Sequence, residues 1–334
     1  MKAVGYTKVG SIDLPDALID FELPKPSPMD RDLLVKVNAI SVNPVDTKIR
    51  TRRAPKADIP EVLGWDAAGE VVDVGPNVTE FAIGDLVFYA GALDRPGTNS
   101  EYHLVDERIV GRKPAALSMA EAAAMPLTTL TAYEMLFDRL QVPRSGAETV
   151  LIIGGAGGVG SIAIQLLRAL TNVTVIATAS RPETEEWVRK LGAHHVVNHR
   201  NPLPEQIAEL ATTAPFFIFS TNQTQDYVAQ VADVIAPQGR FGLIDDPTSF
   251  DIAPFKQKSV SIHWEFMYTR SLFQTDDIYR QGKILNEVAA LVDAGKIVST
   301  ATETLGTITA ENLIKAHKLI ESGSTKGKLV LQGF

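Results

Sequence analysis

Apolar residues follow two different periods in the central part of the chain. Short apolar runs bounded by Gly, Pro, Asn or Asp predict buried strands, and segments with apolar residues at three- and four-residue spacing predict helices. The strands are TVLIIG, VTVIAT, HHVVN, PFFIFS, GRFGLI and SVSIHW, and the helices between them include SIAIQLLRAL, ETEEWVRKLG and TQDYVAQVADVIA. This alternation predicts an α/β domain over residues 122–264, with a parallel sheet covered by helices on both faces.

The two flanking regions have a different pattern. Residues 1–121 contain short β-rich segments separated by Gly and Pro, among them LLVKVNAISVNP, AAGEVVDVG, GDLVFYAG and SEYHLVDE. Segments of this length between turn signals predict a small, barrel-like β domain. Residues 265–334 carry two amphipathic helical patterns and end in KGKLVLQGF, which predicts a final strand.

Composition and charge exclude several classes of function. The chain of 334 residues is 45% hydrophobic and has a formal net charge of −8, so neither nucleic acid nor an anionic membrane is an expected partner. One short basic run, KIRTRR at 48–53, is interpreted as a solvated loop. The absence of cysteine excludes thiolate catalysis and every cysteine-ligated metal site. No apolar segment is long enough to span a bilayer, and we expect a cytoplasmic protein.

A glycine-rich turn follows the first central strand. Gly155, Gly157 and Gly160 have G-x-G-x-x-G spacing, with an apolar strand before them and an apolar helical face after them. In such a turn the first glycine permits the tight bend, the second admits a diphosphate, and the third lets helix and strand pack closely. The helix N-terminus, including Gly158 and Val159, then offers free amides to the diphosphate. The segment predicts a dinucleotide-binding site.

The end of the second central strand indicates which dinucleotide is bound. A carboxylate at this point would bind the adenosine 2′-hydroxyl of NADH, but the chain has Ser180 and Arg181 there and no carboxylate until Glu183. A hydroxyl and a guanidinium suit the 2′-phosphate of NADPH. The alternative is that Arg181 is an ordinary surface arginine near a helix start.

Several motifs, in order along nearly the whole chain, resemble the medium-chain dehydrogenase/reductase superfamily. They are VNPVDTKIR, GWDAAGEVVDVGPNV, GDLVF, SEYHLV, LTTLTAYEML, GGAGGVGSIAIQL, LGAHHVVNHR and KGKLVL. Within the superfamily the chain is similar to the zinc-independent quinone oxidoreductase branch. The resemblance implies a GroES-like catalytic β-barrel domain built from both chain ends, a central Rossmann domain, and a homodimer.

The resemblance also bears on metal binding. Zinc-dependent relatives place Cys, His and Cys ligands at positions that match Asn43, Trp65 and Leu127 in this sequence. Trp and Leu side chains do not bind zinc, and Asn is a poor ligand compared with thiolate or imidazole. We therefore expect no zinc. The expected cofactor is NADPH, as Ser180 and Arg181 indicate.

The resemblance carries further cofactor positions over to this chain. Ser180 and Arg181 match the segment that meets the 2′-phosphate. His199 lies where quinone oxidoreductases often have a Tyr against that phosphate, so the chain departs from the family here. Thr131 resembles the residue that lies against the nicotinamide. Ile244, Asp245 and Phe266 follow the fifth and sixth strands, whose carboxyl ends should border the same ring.

Without a Lewis acid, hydride delivery to a quinone or an α,β-unsaturated carbonyl is the easiest reaction. We expect Asn43, Asp46, Trp65 and Asp66 to line the substrate pocket, with the Asn43 side-chain amide stabilising a developing oxyanion. The proton comes from solvent or through Asp46 or Asp66, and the sequence does not indicate a dedicated acid. Each has a structural alternative: Asn43 as a turn residue, Trp65 as a core aromatic, and the two aspartates as hydrogen-bond or ion-pair partners.

Two other functions remain open at this point. A carbonyl or alcohol dehydrogenase would share the fold, although the matched ligand positions disfavour it. An NADPH-binding redox sensor or structural protein would have the same cofactor site and little turnover.

Overall fold

The computed structural model describes residues 1–55 and 59–334. The chain divides into two compact units, one formed by Met1–Leu130 with Tyr268–Phe334 and the other by Thr131–Met267. The borders predicted from the sequence lie after residues 121 and 264. The first border is further along because the backbone amide of Leu127 hydrogen-bonds to Asp66 of the first unit, at 2.8 Å.

Strands dominate the two ends of the chain, and strands alternate with helices in its middle. The strands are β1 Lys2–Tyr6, β2 Ile19–Glu22, β3 Asp32–Ser41, β4 Glu61–Val62, β5 Ala67–Val74, β6 Leu86–Tyr89, β7 Tyr102–Asp106, β8 Val110–Arg112, β9 Thr149–Ile153, β10 Thr174–Thr178, β11 His195–Val197, β12 Phe217–Ser220, β13 Arg240–Leu243, β14 Ser261–Trp264, β15 Ala301–Thr304 and β16 Lys328–Gln332. The α-helices are α1 Pro44–Arg52, α2 Met119–Ala123, α3 Pro126–Tyr133, α4 Gly158–Leu170, α5 Pro182–Lys190, α6 Leu203–Ala208, α7 Thr224–Val234, α8 Thr269–Leu272, α9 Arg280–Asp293 and α10 Ala310–Glu321. A π-helical segment, Glu134–Arg139, follows α3.

The second unit is built on a six-stranded sheet in the order β11-β10-β9-β12-β13-β14, and every neighbouring pair is parallel. All six strands coincide with the predicted ones, so the expected doubly wound α/β fold is confirmed. The strand order reverses between β9 and β12, and in such sheets ligands bind outside the carboxyl ends of the strands at this switch point. The core beneath it is apolar and includes Leu151, Ile176, Ile218 and Phe241.

The first unit contains a seven-stranded sheet in the order β15-β16-β3-β5-β6-β8, with β7 also paired to β3. The predicted final strand is present as β16, and it pairs antiparallel with β3, with Val330 opposite Ser41. This pairing brings the two ends of the chain into one sheet, as the resemblance implies. It also places Lys328, at the start of β16, close to the turn that follows β3.

The basic run at 48–53 is not a solvated loop, and that interpretation was wrong. Its first residues lie in α1, and Arg50 is only 1% exposed. The Arg50 guanidinium pairs with Glu321 and donates to the carbonyl of Gly10, and its Nε lies 3.3 Å from Nδ1 of His317. These partners are distant in sequence, so the local pattern of charges did not show them.

Candidate functional site

The glycine turn connects β9 to α4 in the second unit, as predicted. The glycine that needs the left-handed backbone is Gly154, with φ of 83°, and not Gly155, to which the spacing assigned the tight bend. Gly155 is required for packing, since a Cβ there would lie 2.9 Å from the Cβ of Ala177. A Cβ on Gly160 would lie 2.3 Å from the carbonyl oxygen of Gly154, which agrees with its predicted role in close helix–strand packing.

Gly157 differs from Gly154, Gly155 and Gly160 because no contact with the described residues requires a glycine there. Its φ of −71° suits any residue, and a Cβ would contact only the Gly154 carbonyl, at 3.6 Å. It is the N-cap of α4, so it lies next to the first backbone amides of that helix, which have no partner within the helix. A Cβ would project into the open face beside Gly157, and the geometry therefore fits the close approach of a phosphate group. Gly158 and Val159, the first two residues of α4, are half-buried beside it.

A cationic group lies at the carboxyl end of β10. Arg181 and Ser180 are half-buried there, and Nε of Arg181 is 2.6 Å from the Glu183 carboxylate. Burial lowers the pKa of His199, and the positive charges of Arg200 and Arg181 lower it further, so the imidazole is held in its neutral form. The Nδ1 atom of His199 is buried and has no hydrogen-bond partner among the described residues. Sequence reasoning missed Arg200, although it follows His199 in the same motif.

The residues predicted near the nicotinamide have different environments within the second unit. Thr131 is buried in α3, Ile244 is half-buried directly after β13, and Phe266 is 50% exposed. Asp245 is used to begin α7: it accepts the Thr224 amide at 2.8 Å and the Thr224 hydroxyl at 2.5 Å. A carboxylate at a helix N-terminus stabilises the helix, so Asp245 has a structural role in addition to any contact with a cofactor.

The four predicted catalytic residues all lie in the first unit and are at most 1% exposed. Asn43 and Asp66 form a buried polar cluster with Lys328, which sequence reasoning missed. Nδ2 of Asn43 donates to Asp66 Oδ2 at 2.8 Å and to the Ser41 carbonyl at 3.3 Å. Because both amide hydrogens have protein acceptors, Asn43 has no donor left for a substrate oxygen, and the geometry supports its structural alternative.

Asp66 is the centre of this cluster. Its Oδ1 accepts the Leu127 amide, and its Oδ2 accepts from Asn43 and from the Lys328 ammonium, at 3.1 Å. Burial raises the pKa of Asp66. The charge of Lys328 and the hydrogen bonds that the carboxylate accepts oppose that increase. The carboxylate is therefore held by charge and hydrogen bonds together, as a buried ion must be.

Asp46 lies beside the cluster with a different balance of partners. Its Oδ2 accepts a hydrogen bond from the backbone N–H of Asn43 at 2.7 Å, but its buried Oδ1 has no hydrogen-bond partner in the part of the chain that the structure describes. Burial raises the pKa of Asp46 from 3.8 to about 7. The hydrogen bond from the Asn43 backbone and the charge of Lys328 lower this pKa, and the charge of Asp66 raises it. Asp46 thus takes up or releases a proton near neutral pH.

Replacement of Asp46 by Asn should change how stability depends on pH. Between about pH 4 and pH 7 the unfolded chain releases the Asp46 proton while the folded protein retains it, so wild-type stability falls as pH rises through this window. The Asp46→Asn variant lacks this contribution. The stability of the variant minus that of wild type should therefore increase as pH rises to about 7 and stay constant above it. Urea denaturation of both proteins at several pH values measures it, and a difference that is constant with pH would contradict the assignment.

The positions that match zinc ligands do not fit a metal. Trp65 is a buried core aromatic whose Nε1 donates to the Ala92 carbonyl at 3.1 Å, with the Arg53 guanidinium 5.7 Å from its ring. Leu127 has an apolar side chain, and its amide is bound to Asp66. Within residues 1–55 and 59–334, no group of three or more His, Asp or Glu side chains is arranged to hold a metal ion. No helix in the same part of the chain is long and apolar enough to cross a membrane.

Two family models match the chain. The alcohol dehydrogenase GroES-like domain matches residues 29–131, and the zinc-binding dehydrogenase model matches residues 158–280. A zinc-type alcohol dehydrogenase-like protein of Staphylococcus aureus is 41% identical over 99% of both chains. A 2-methylene-furan-3-one reductase of Solanum lycopersicum is 30% identical over 99% of this chain and 79% of its own.

Solved structures agree with the sequence relatives. A Rhizobium etli protein, provisionally described as a zinc-dependent alcohol dehydrogenase, superposes with a TM-score of 0.97 and is 57% identical, over 100% of this chain and 98% of that one. The Escherichia coli quinone oxidoreductase complexed with NADPH superposes with a TM-score of 0.84 at 25% identity, over 100% of both chains.

A doubly wound sheet with a glycine turn at its switch point, in one chain with a GroES-like domain, defines an oxidoreductase of the dinucleotide-binding class. The chain belongs to the medium-chain dehydrogenase/reductase superfamily, among its zinc-type alcohol dehydrogenase-like members.

Proposed function

We propose that the protein is an NADPH-dependent reductase that acts without zinc on quinones or α,β-unsaturated carbonyl compounds. The observation that carries the proposal is the open face at Gly157, together with the cationic side chains of Arg181 and Arg200, which follow the next two strands along the chain and both act on His199. The first suits the diphosphate of a dinucleotide and the second suits its 2′-phosphate. Bound NADPH supplies the hydride.

The preference for a conjugated acceptor follows from the side chains at the three matched positions. Asn43, Trp65 and Leu127 do not supply the ligand set with which zinc would polarise an alcohol or an isolated carbonyl. A quinone or enone accepts hydride more readily because the charge spreads over the conjugated system. The named activities of two relatives, a quinone oxidoreductase and a 2-methylene-furan-3-one reductase, support this substrate class.

Direct assay of the purified, chelator-treated protein tests the proposal. NADPH oxidation is followed with phenanthrenequinone, benzoquinone and a simple enone as acceptors, and each series is repeated with NADH. We expect turnover that persists in chelator and is faster with NADPH. Tight NADPH binding without turnover on any acceptor would overturn the proposal in favour of a cofactor-binding protein, and turnover of alcohols that requires added zinc would overturn it in favour of a dehydrogenase.

Arg181→Ala should remove most of the preference for NADPH. The variant loses charge-assisted hydrogen bonds to the 2′-phosphate, and contacts of this kind contribute about 1.5–3 kcal/mol, equivalent to roughly 10- to 150-fold in binding. We expect kcat/KM for NADPH, divided by kcat/KM for NADH, to decrease by roughly 10- to 150-fold. Most of the decrease should come from a higher KM for NADPH.

Glu183→Gln is the matched control for that change. It removes the carboxylate that pairs with Arg181 and leaves the guanidinium in place. The NADPH preference should be retained or increased in this variant. If Arg181→Ala and Glu183→Gln alter the ratio equally, Arg181 is not a phosphate ligand.

We also propose the homodimer and the cytoplasmic location that the sequence and its resemblance imply. The edge strand β14 supports the dimer, since it ends the six-stranded sheet and carries the exposed Trp264, with exposed Phe266 two residues beyond. An edge strand of a sheet presents backbone groups that another strand can pair with.

A further inference from the structure

The Lys328 side chain ends inside the first unit, where it is 4% exposed. Its ammonium donates to the Val42 carbonyl at 3.0 Å, to Asp66 Oδ2 at 3.1 Å and to Asn43 Oδ1. An ammonium has three hydrogens, so each one has an oxygen acceptor. These oxygens come from the turn after β3 and the segment before β5, while Lys328 begins β16, nearly three hundred residues away in sequence.

The contact with Lys328 determines the orientation of the Asn43 amide. An ammonium can only donate, so Asn43 must present its oxygen to Lys328 and its nitrogen to Asp66. Asp66 in turn holds the amide of Leu127 at the start of α3, the helix that contains Thr131. Loss of the ammonium would free the Asn43 amide to rotate and would leave the carboxylate without its counter-charge.

Of the three positions that match the zinc ligands of zinc-dependent relatives, Trp65 and Leu127 supply no metal ligand. The third, Asn43, directs its side-chain oxygen at Lys328. We propose that this chain carries its own cation there: the Val42 carbonyl, Asn43 Oδ1 and Asp66 Oδ2 form an internal cation site, and the Lys328 ammonium fills it. Lys328 is then a positioning residue: through Asp66 it fixes the Leu127 amide, and with it the start of α3, the helix that contains Thr131. The effect of Lys328 on turnover rests on the proposed reductase function, whereas the binding of a cation by the three oxygens does not.

Chemical rescue of Lys328→Ala tests the site. The substitution removes three methylenes and the ammonium, which propylammonium replaces in both shape and charge. We expect Lys328→Ala to have a lower Tm than wild type and propylammonium to raise that Tm in a saturable way, because a ligand that binds only the folded state stabilises it. The neutral 1-propanol should have no such effect, and wild type should respond to neither compound.

Two further variants keep the test decisive. Lys328→Met fills the same volume without a charge, so it replaces Lys328→Ala in the comparison with wild type if the alanine variant does not fold in the absence of propylammonium. Arg50→Ala removes another buried cation of the same unit, whose partners are Glu321 and Gly10. It should lose stability and not recover it with propylammonium, since a guanidinium and an ammonium differ in shape.

Kinetics distinguish positioning from general stabilisation. We expect kcat of Lys328→Ala to fall about 10- to 100-fold, by analogy with the loss when outer-shell groups that orient metal ligands are removed. KM for NADPH should be unchanged, and propylammonium should restore kcat. A Lys328→Met protein with wild-type Tm and kcat would overturn the proposal, as would equal responses of wild type and Lys328→Ala to propylammonium. A wild-type protein without turnover would overturn the proposed function alone, because rescue of the Tm would still report the cation site.

Discussion

The Gly157→Ala variant should bind NADPH about 10- to 100-fold more weakly than wild type while retaining nearly all of its stability. The added Cβ meets only the Gly154 carbonyl at 3.6 Å within the protein, so the folded chain accommodates it. The same Cβ projects into the open face at the start of α4 and would hold a diphosphate away from the helix amides. Loss of one or two charge-assisted hydrogen bonds accounts for a change of this size. Titration of NADPH fluorescence measures the dissociation constant, and thermal unfolding measures the stability.

Gly160→Ala is the matched control, since it adds the same methyl group three residues further along the helix. There the Cβ would lie 2.3 Å from the Gly154 carbonyl oxygen, and backbone must move to admit it. This variant should lose stability, whereas Gly157→Ala should lose less than about 1 kcal/mol, the difference between Gly and Ala at an N-cap. An unchanged NADPH dissociation constant in Gly157→Ala would show that no phosphate approaches this turn.

The fold of the second unit was predictable because its determinants are local. Each buried strand is a short apolar run, each helix has its own apolar face, and the alternation of the two allows few topologies. The glycine turn was also found, but the bend was assigned to Gly155 instead of Gly154. Spacing alone does not show which of two adjacent glycines adopts a positive φ.

The buried charges were not predictable, because their partners are far away in sequence. Lys328 and Asp66 are separated by 262 positions, and Arg50 and His317 by 267. From the sequence, an isolated Lys or Arg is expected at the surface. The pairing of β3 with β16 is what brings Lys328 to Asp66, and a single sequence contains no signal for that register.

Asp66→Asn should destabilise the protein by about 3 kcal/mol at neutral pH. The variant keeps the size of the side chain and an oxygen for the Leu127 amide. Its NH2 group replaces the Oδ2 that accepts from Asn43 and Lys328, so the change removes the charge and this acceptor together. Removal of one partner of a buried ion pair costs about 3–5 kcal/mol. The lower end is expected because Asp46, whose pKa is already about 7, ionises more readily once Asp66 no longer repels it and so becomes the counter-ion of Lys328. Urea denaturation of both proteins gives the difference in the free energy of unfolding.

The double variant Asp66→Asn/Lys328→Met shows whether this loss comes from an uncompensated charge. With both charges removed, the buried cluster holds neutral groups that are more easily accommodated than a lone ammonium, and the double variant should be more stable than Asp66→Asn alone. The recovery should be larger at pH 5 than at pH 8, because at low pH Asp46 is protonated and cannot compensate Lys328 in the single variant. If the two substitutions are additive at both pH values, Asp66 and Lys328 do not stabilise one another. The cluster would then be held together by its hydrogen bonds and not by charge.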